Sequence, residues 1–122
     1  MGATGTAGEL AAIFAGGFAG AIARVALAEN WAADATRWPW ATFVANIAGA
    51  LILGYVATRL RDGRARLLLG TGFCGALTTF STLQLELLHM LDASHFALAA
   101  AYALASVALG LAAVTLGRRL AT

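Results

Sequence analysis

Apolar residues run almost unbroken through four stretches of the chain. Trp38–Thr58, Leu67–Leu85 and Phe96–Gly117 carry no charge, and Leu10–Ala28 is interrupted only by Arg24. A helix needs about 20 mostly apolar residues to span a bilayer. The pattern therefore predicts four transmembrane helices, roughly residues 9–29, 39–60, 67–90 and 95–118, in a single domain over 1–122. The third stretch is unlike the others. From Gly72 to Glu86 it reads Gly-Phe-Cys-Gly-Ala-Leu-Thr-Thr-Phe-Ser-Thr-Leu-Gln-Leu-Glu, rich in glycine and hydroxyls. Such groups are tolerated at membrane depth where they are buried in protein or line a wet path. Glycine and threonine also weaken a helix. A local break around Gly75–Thr79 is expected, freeing carbonyls that suit a cation and N–H groups that suit an anion.

Composition supports the membrane reading. Of 122 residues, 61% are hydrophobic and 11% charged, and the mean hydropathy of +0.80 is too high for an ordinary soluble domain. The net charge of +2 rests on arginines at the membrane edges, which speaks of orientation and not of nucleic-acid binding. Arg59, Arg61, Arg64, Arg66, Arg118 and Arg119 share one side; Arg24 and Arg37 lie on or towards the other. The positive-inside rule then puts both termini and the 59–66 loop in the cytoplasm. A basic n-region is missing from the start of the chain, so a signal peptide is not expected. Cys74, the only cysteine, offers neither an intrachain disulfide nor a metal cluster. No Ser/His/Asp arrangement or phosphate-binding loop suggests an enzyme.

The helix faces carry the candidate chemistry. Gly16, Gly20 and Arg24 recur every four residues on the first helix, a close-packing pair followed by an arginine that either snorkels to headgroups or faces an anion-gathering vestibule. Trp38 and Trp40 flank Pro39 as interface anchors at the start of the second helix. Thr42, Asn46 and Gly49 share a face of that helix, and a mid-span amide must find a partner. Tyr102 and Ser106 stand one turn apart on the fourth helix, and Glu86 ends the uncharged run of the third. Four short helices enclose little, and their many small residues allow close approach, so an oligomer, most simply a dimer, is expected.

These strings resemble the Fluc (CrcB) fluoride channels over essentially the whole chain. The similarity is carried by Gly16-Gly17-Phe18-Ala19-Gly20-Ala21-Ile22-Ala23-Arg24, by Thr42-Phe43-Val44-Ala45-Asn46-Ile47-Ala48-Gly49, and above all by Gly72 to Thr82 followed by Glu86. The resemblance implies an all-α membrane protein, with four transmembrane helices per subunit, a break in the third and an antiparallel, dual-topology type of dimer. It implies passive fluoride export across the cytoplasmic (inner) membrane of a prokaryote through two pores at the dimer interface. Asn46, Phe80, Ser81, Thr82, Thr42, Tyr102 and Ser106 would line the fluoride path, with Arg24 at the vestibule and Glu86 at the far end. A sodium ion at the dimer centre would be held by the backbone carbonyls of Gly75 and Thr78.

Two departures accompany the resemblance. Leu83 stands where the family commonly has a second phenylalanine, and six arginines against two are less balanced than dual topology favours. The alternative to a homodimer is thus a heterodimer whose oppositely oriented partner supplies the missing ring. A small multidrug-resistance-type cation/proton exporter shares the four-helix architecture but needs a mid-span carboxylate, and none is present in the apolar stretches.

Overall fold

The computed structural model describes residues 3–31 and 34–122, and every element among them is helical. In chain order these are α1 (Ala3–Asn30), α2 (Trp40–Arg59), α3 (Gly63–Arg66), a π-helical segment π1 (Leu67–Cys74), α4 (Gly75–Leu77), α5 (Phe80–Asp92) and α6 (Phe96–Leu120). Three of them, Gly5–Asn30 within α1, α2 and α6, are continuous helices long and apolar enough to cross a membrane. The third hydrophobic stretch of the sequence is covered by several consecutive pieces, π1, α4 and α5. Helix α1 starts at Ala3, ahead of the hydrophobic stretch that opens at Leu10.

Close backbone packing is written by glycine. A Cβ on Gly16 would fall 1.8 Å from the Leu68 carbonyl oxygen, and one on Gly20 would fall 2.2 Å from that of Phe73. From the other side, a Cβ on Gly72 would meet the Ile13 carbonyl oxygen at 2.6 Å. The Gly16/Gly20 pair thus seats α1 directly on π1, the small-residue packing that membrane helices use in place of a hydrophobic drive. Helices α2 and α6 meet in the same way: a Cβ on Gly54 would lie 2.3 Å from the Val114 oxygen, and one on Gly117 would lie 2.1 Å from the Leu51 oxygen.

The buried side chains gather where α2, α5 and α6 meet, around Met90, Ala99 and Tyr102, with Trp38, Phe43, Leu83 and Leu87 packed on them. Trp38 therefore differs from the anchor expected from sequence. It turns inward, with its ring 5.2 Å from Phe43 and 5.4 Å from Tyr102, both edge-on, while Trp40 stays exposed. Pro39 between them is fully buried, and the two rings stay in contact, tilted, with centroids 6.1 Å apart. The turn from α5 to α6 closes with His95 N–H donating to the Met90 carbonyl (2.8 Å) and Ser94 at a φ of 63°, the left-handed helix end that usually takes glycine. Leu10, Phe14, Phe18, Leu104 and Leu111 are exposed, as an apolar solvent requires of outward faces.

Candidate functional site: the Thr78–Thr79 junction and the Glu86 cluster

Helix α4 ends at Leu77, and α5 begins at Phe80. Between them Thr78 (φ −80°, ψ 152°) and Thr79 (φ −149°, ψ 117°) are extended. A continuous helix would send the Thr79 N–H to the Gly75 carbonyl and the Thr82 N–H to the Thr78 carbonyl. Both donors are diverted. Thr79 N–H donates to Asn46 Oδ1 (2.8 Å), and Thr82 N–H donates to Thr79 Oγ1 (3.2 Å). The carbonyls of Gly75 and Thr78 thereby lose their helical donors, and Thr79 becomes the N-cap of α5.

Asn46 does more than lie on a polar face. Its Nδ2 donates to the Thr79 carbonyl (3.3 Å) while its Oδ1 accepts from the Thr79 N–H, so the amide pairs with one residue's backbone at both ends. One amide hydrogen remains beyond this pairing. Gly49, one turn further along α2, gives room to the Thr78 methyl: a Cβ there would lie 2.3 Å from Thr78 Cγ2. The Thr78 hydroxyl donates back to the Cys74 carbonyl (2.9 Å).

An open groove of about 640 Å³ runs along this junction, lined among others by Asn46, Gly75, Thr78, Thr79, Phe80 and Leu83. Phe80 is 70% exposed. Ser81 is exposed on the first turn of α5, and Thr82 is half-buried there, accepting a hydrogen bond from the Thr79 hydroxyl at 3.1 Å. Arg24 lies on the other flank, against α4, where its Nε donates to the Ala76 carbonyl (3.0 Å).

A second cluster sits two turns along α5. Glu86, half-buried, accepts from Thr42 Oγ1 (2.9 Å) at one oxygen and from Tyr102 OH (2.7 Å) at the other. Three helices, α2, α5 and α6, are tied together by this one carboxylate. Tyr102 is fully buried, and beside it the Trp38 indole N–H is buried without a partner among the described residues. Ser106, one turn beyond Tyr102 on α6, is half-buried.

The structure thus brings Asn46, Gly75, Thr78 and Phe80 to one groove and Thr42, Glu86 and Tyr102 to one cluster, with Arg24 apart from both. Sequence reasoning missed Thr79 as the hub. Its signal was local: a threonine opening Thr79-Phe80-Ser81-Thr82 is a helix N-cap. It also missed that Glu86, placed at the end of the uncharged run, is held by two hydroxyls.

An all-helical, multi-pass membrane protein is the class defined by this fold. Residues 11–118 match the family described as CrcB-like protein, Camphor Resistance (CrcB), and the chain belongs to that family. It is 54% identical over 117 residues, 92% of this chain and 89% of the relative, to the fluoride-specific ion channel FluC 1 of Mycolicibacterium paratuberculosis. It is 52% identical over 113 residues, 88% of this chain and 86% of the relative, to FluC 1 of Mycobacterium tuberculosis. Against FluC 2 of Bacillus thuringiensis subsp. konkukian the identity is 41% over 114 residues, 92% of this chain and 96% of the relative.

Proposed function

We propose that the chain is the subunit of a fluoride-selective channel that lets fluoride leave passively across the cytoplasmic membrane. Its relatives named as fluoride-specific channels match it over most of its length. The observation in this chain that carries the reading is the Asn46–Thr79 pairing. It stabilises an interruption at membrane depth, where unpaired backbone would otherwise cost several kcal/mol per group. What the interruption provides is a set of dipoles with no fixed ionic partner.

Fluoride is small and strongly hydrated, so a pore must replace its water with donors. The N-terminus of α5 offers N–H groups that no helical carbonyl can take. Asn46 keeps one amide hydrogen, Phe80 offers a positively polarised ring edge, and Ser81 and Thr82 add hydroxyls. Neutral donors hold an anion firmly enough for entry and weakly enough for exit. In this reading the path continues past Ser106, while the buried Thr42 and Tyr102 give their hydroxyl hydrogens to Glu86 and keep it from presenting bare carboxylate oxygens to the ion.

The pore needs a second wall. In this reading two subunits pack antiparallel across the groove at Thr78–Thr79, enclosing two fluoride paths. The carbonyls of Gly75 and Thr78, whose helical donors are diverted, would hold a sodium ion at the dimer centre: they are hard, uncharged oxygen donors on two residues that line the groove. When bound, the ion would supply positive charge that offsets part of the anion's cost in a low-dielectric interior. The arginine-rich 59–66 loop favours a cytoplasmic position, together with both termini.

A heterodimer is the second reading, favoured by the arginine asymmetry and by Leu83, which lines the groove beside Phe80 without a ring to offer. Ion efflux from liposomes tests both. Fluoride efflux from the purified protein with chloride retained supports the homomeric channel. Efflux only after co-expression with an oppositely oriented homologue supports the heteromer. Proton-coupled flux of an organic cation, with no fluoride flux in either case, would refute both.

A further inference from the structure

Four carbonyls at the end of α4, those of Gly75, Ala76, Leu77 and Thr78, lose their helical donors where Thr78 and Thr79 turn extended. They do not share one environment. Gly75 and Thr78 both belong to the lining of the open groove. Ala76 is turned about 100° from Gly75, and its carbonyl accepts a hydrogen bond from Arg24 Nε at 3.0 Å, across 52 residues of sequence. The contact is possible because Gly20, one turn before Arg24, lets α1 sit against the Phe73 carbonyl. No carboxylate pairs with Arg24 among the described residues, where the single ion pair is Arg37–Asp34. Its charge is therefore directed to the negative end of a helical segment, where a cation is favourable, and its bond is of the charge-assisted kind.

We infer that Arg24 is a positioning residue: its guanidinium fixes the Ala76 carbonyl towards α1 and so holds the neighbouring Gly75 and Thr78 in place at the groove. This role rests on the channel reading for its consequence, but the strut is a matter of α1 and α4 alone. It differs from an arginine that collects anions by charge. A collecting arginine needs only a positive charge facing water, and lysine supplies that. A strut needs an N–H at the Nε position of a planar group, and lysine has none there. Asn46 clamps the junction from α2 through Thr79, and Arg24 holds it from α1 through Ala76, so the extended pair is gripped on both sides.

The test uses the full chain reconstituted in liposomes, as Arg24→Lys and Arg24→Gln. Both variants should lower the maximal fluoride efflux rate by about tenfold, the lower end of what losing a charge-assisted hydrogen bond supports. The fluoride concentration for half-maximal efflux should not change, and neither higher fluoride nor different ionic strength should restore the rate. Amide hydrogen exchange at Thr78–Thr82 should accelerate in both variants, while the centre of α6 keeps its protection. Efflux by the lysine variant at the wild-type rate, with a glutamine deficit that vanishes at high fluoride, would mean that Arg24 gathers anions and would overturn the proposal. So would unchanged exchange at Thr78–Thr82. If the wild-type chain passes no fluoride, the channel reading fails, and the exchange measurement still decides the strut. The lysine variant, which keeps charge and length, carries the test if the glutamine variant does not assemble.

Discussion

Two substitutions of Asn46 should separate stability from conduction. Asn46→Ala removes both hydrogen bonds to Thr79, at 2.8 and 3.3 Å. It leaves a backbone N–H and a carbonyl at membrane depth without those partners. An unsatisfied buried group costs about 1–3 kcal/mol, so the variant should lose roughly 2–4 kcal/mol after partial relaxation. Asn46→Asp keeps an acceptor for the Thr79 N–H, the shorter of the two bonds, and should lose less. Its effect on conduction should be the larger. A carboxylate about 4 Å from a fluoride ion opposes it by ~4 kcal/mol at an effective dielectric constant near 20, which is about a thousandfold in occupancy. The assays are thermal unfolding of the detergent-solubilised protein and fluoride efflux from liposomes at pH 8. The expected order is aspartate above alanine in stability and alanine above aspartate in flux. An aspartate variant that conducts at more than about a tenth of the wild-type rate would remove Asn46 from the ion path, and an alanine variant as stable as wild type would remove the clamp.

Four further outcomes are expected. Gly20→Ala puts a methyl against the Phe73 carbonyl, backbone on both sides, where neither group can swing away; a loss of at least about 1–3 kcal/mol should appear in thermal unfolding, with weaker fluoride flux because Arg24 retreats from Ala76. Ser94→Gly relieves a left-handed backbone at φ 63° and should stabilise by roughly 0.5–1 kcal/mol without altering efflux. Leu83→Phe should raise efflux from the purified protein if the ring expected there belongs to this chain's own path; an unchanged rate assigns that ring to a partner or to neither. Asp34, outside the spans, accepts from the Thr36 hydroxyl and N–H, which, with Arg37, hold its carboxyl below the usual range. Its pKa is depressed by folding, so the loop's order is present above the ordinary carboxylate pKa and is lost as pH falls through the lowered value; Trp31 fluorescence followed below about pH 4 should show this transition, and Asp34→Asn should abolish it.

Hydropathy and local chemistry made the helical architecture legible, because apolar runs and punctuating residues act locally. The run of glycines and threonines also marked its own stretch of the third segment as different. What was not legible depends on partners far away in sequence. Asn46 announces that it needs a partner, but Thr79 lies 33 residues on. Arg24 reads as a vestibule or snorkelling residue until Ala76, 52 residues away, is seen beneath it. Glu86 reads only as the end of an uncharged run until α2 and α6 bring it the hydroxyls of Thr42 and Tyr102. The π-helical turn at Leu67–Cys74 has no sequence signature of its own. The inward Trp38 shows the same limit: two tryptophans around a proline look equivalent until Phe43 and Tyr102 are seen to take one of them into the core.

Dividing a helix solves a problem that an added charge would not. A lysine or arginine in the path would attract fluoride, but at an effective dielectric constant near 20 a unit charge 4 Å away contributes about 4 kcal/mol, enough to hold the ion for long periods. Neutral dipoles spread the same attraction over several weaker contacts that can be exchanged in sequence. The cost is unpaired backbone in a solvent that offers no hydrogen bonds. This chain offsets it with side chains that take the place of helix: the Asn46 amide for Thr79, the Thr79 hydroxyl for Thr82 and the Arg24 guanidinium for Ala76. The one full positive charge in that set is engaged by a carbonyl on the flank away from the groove, which keeps its pull on the ion indirect.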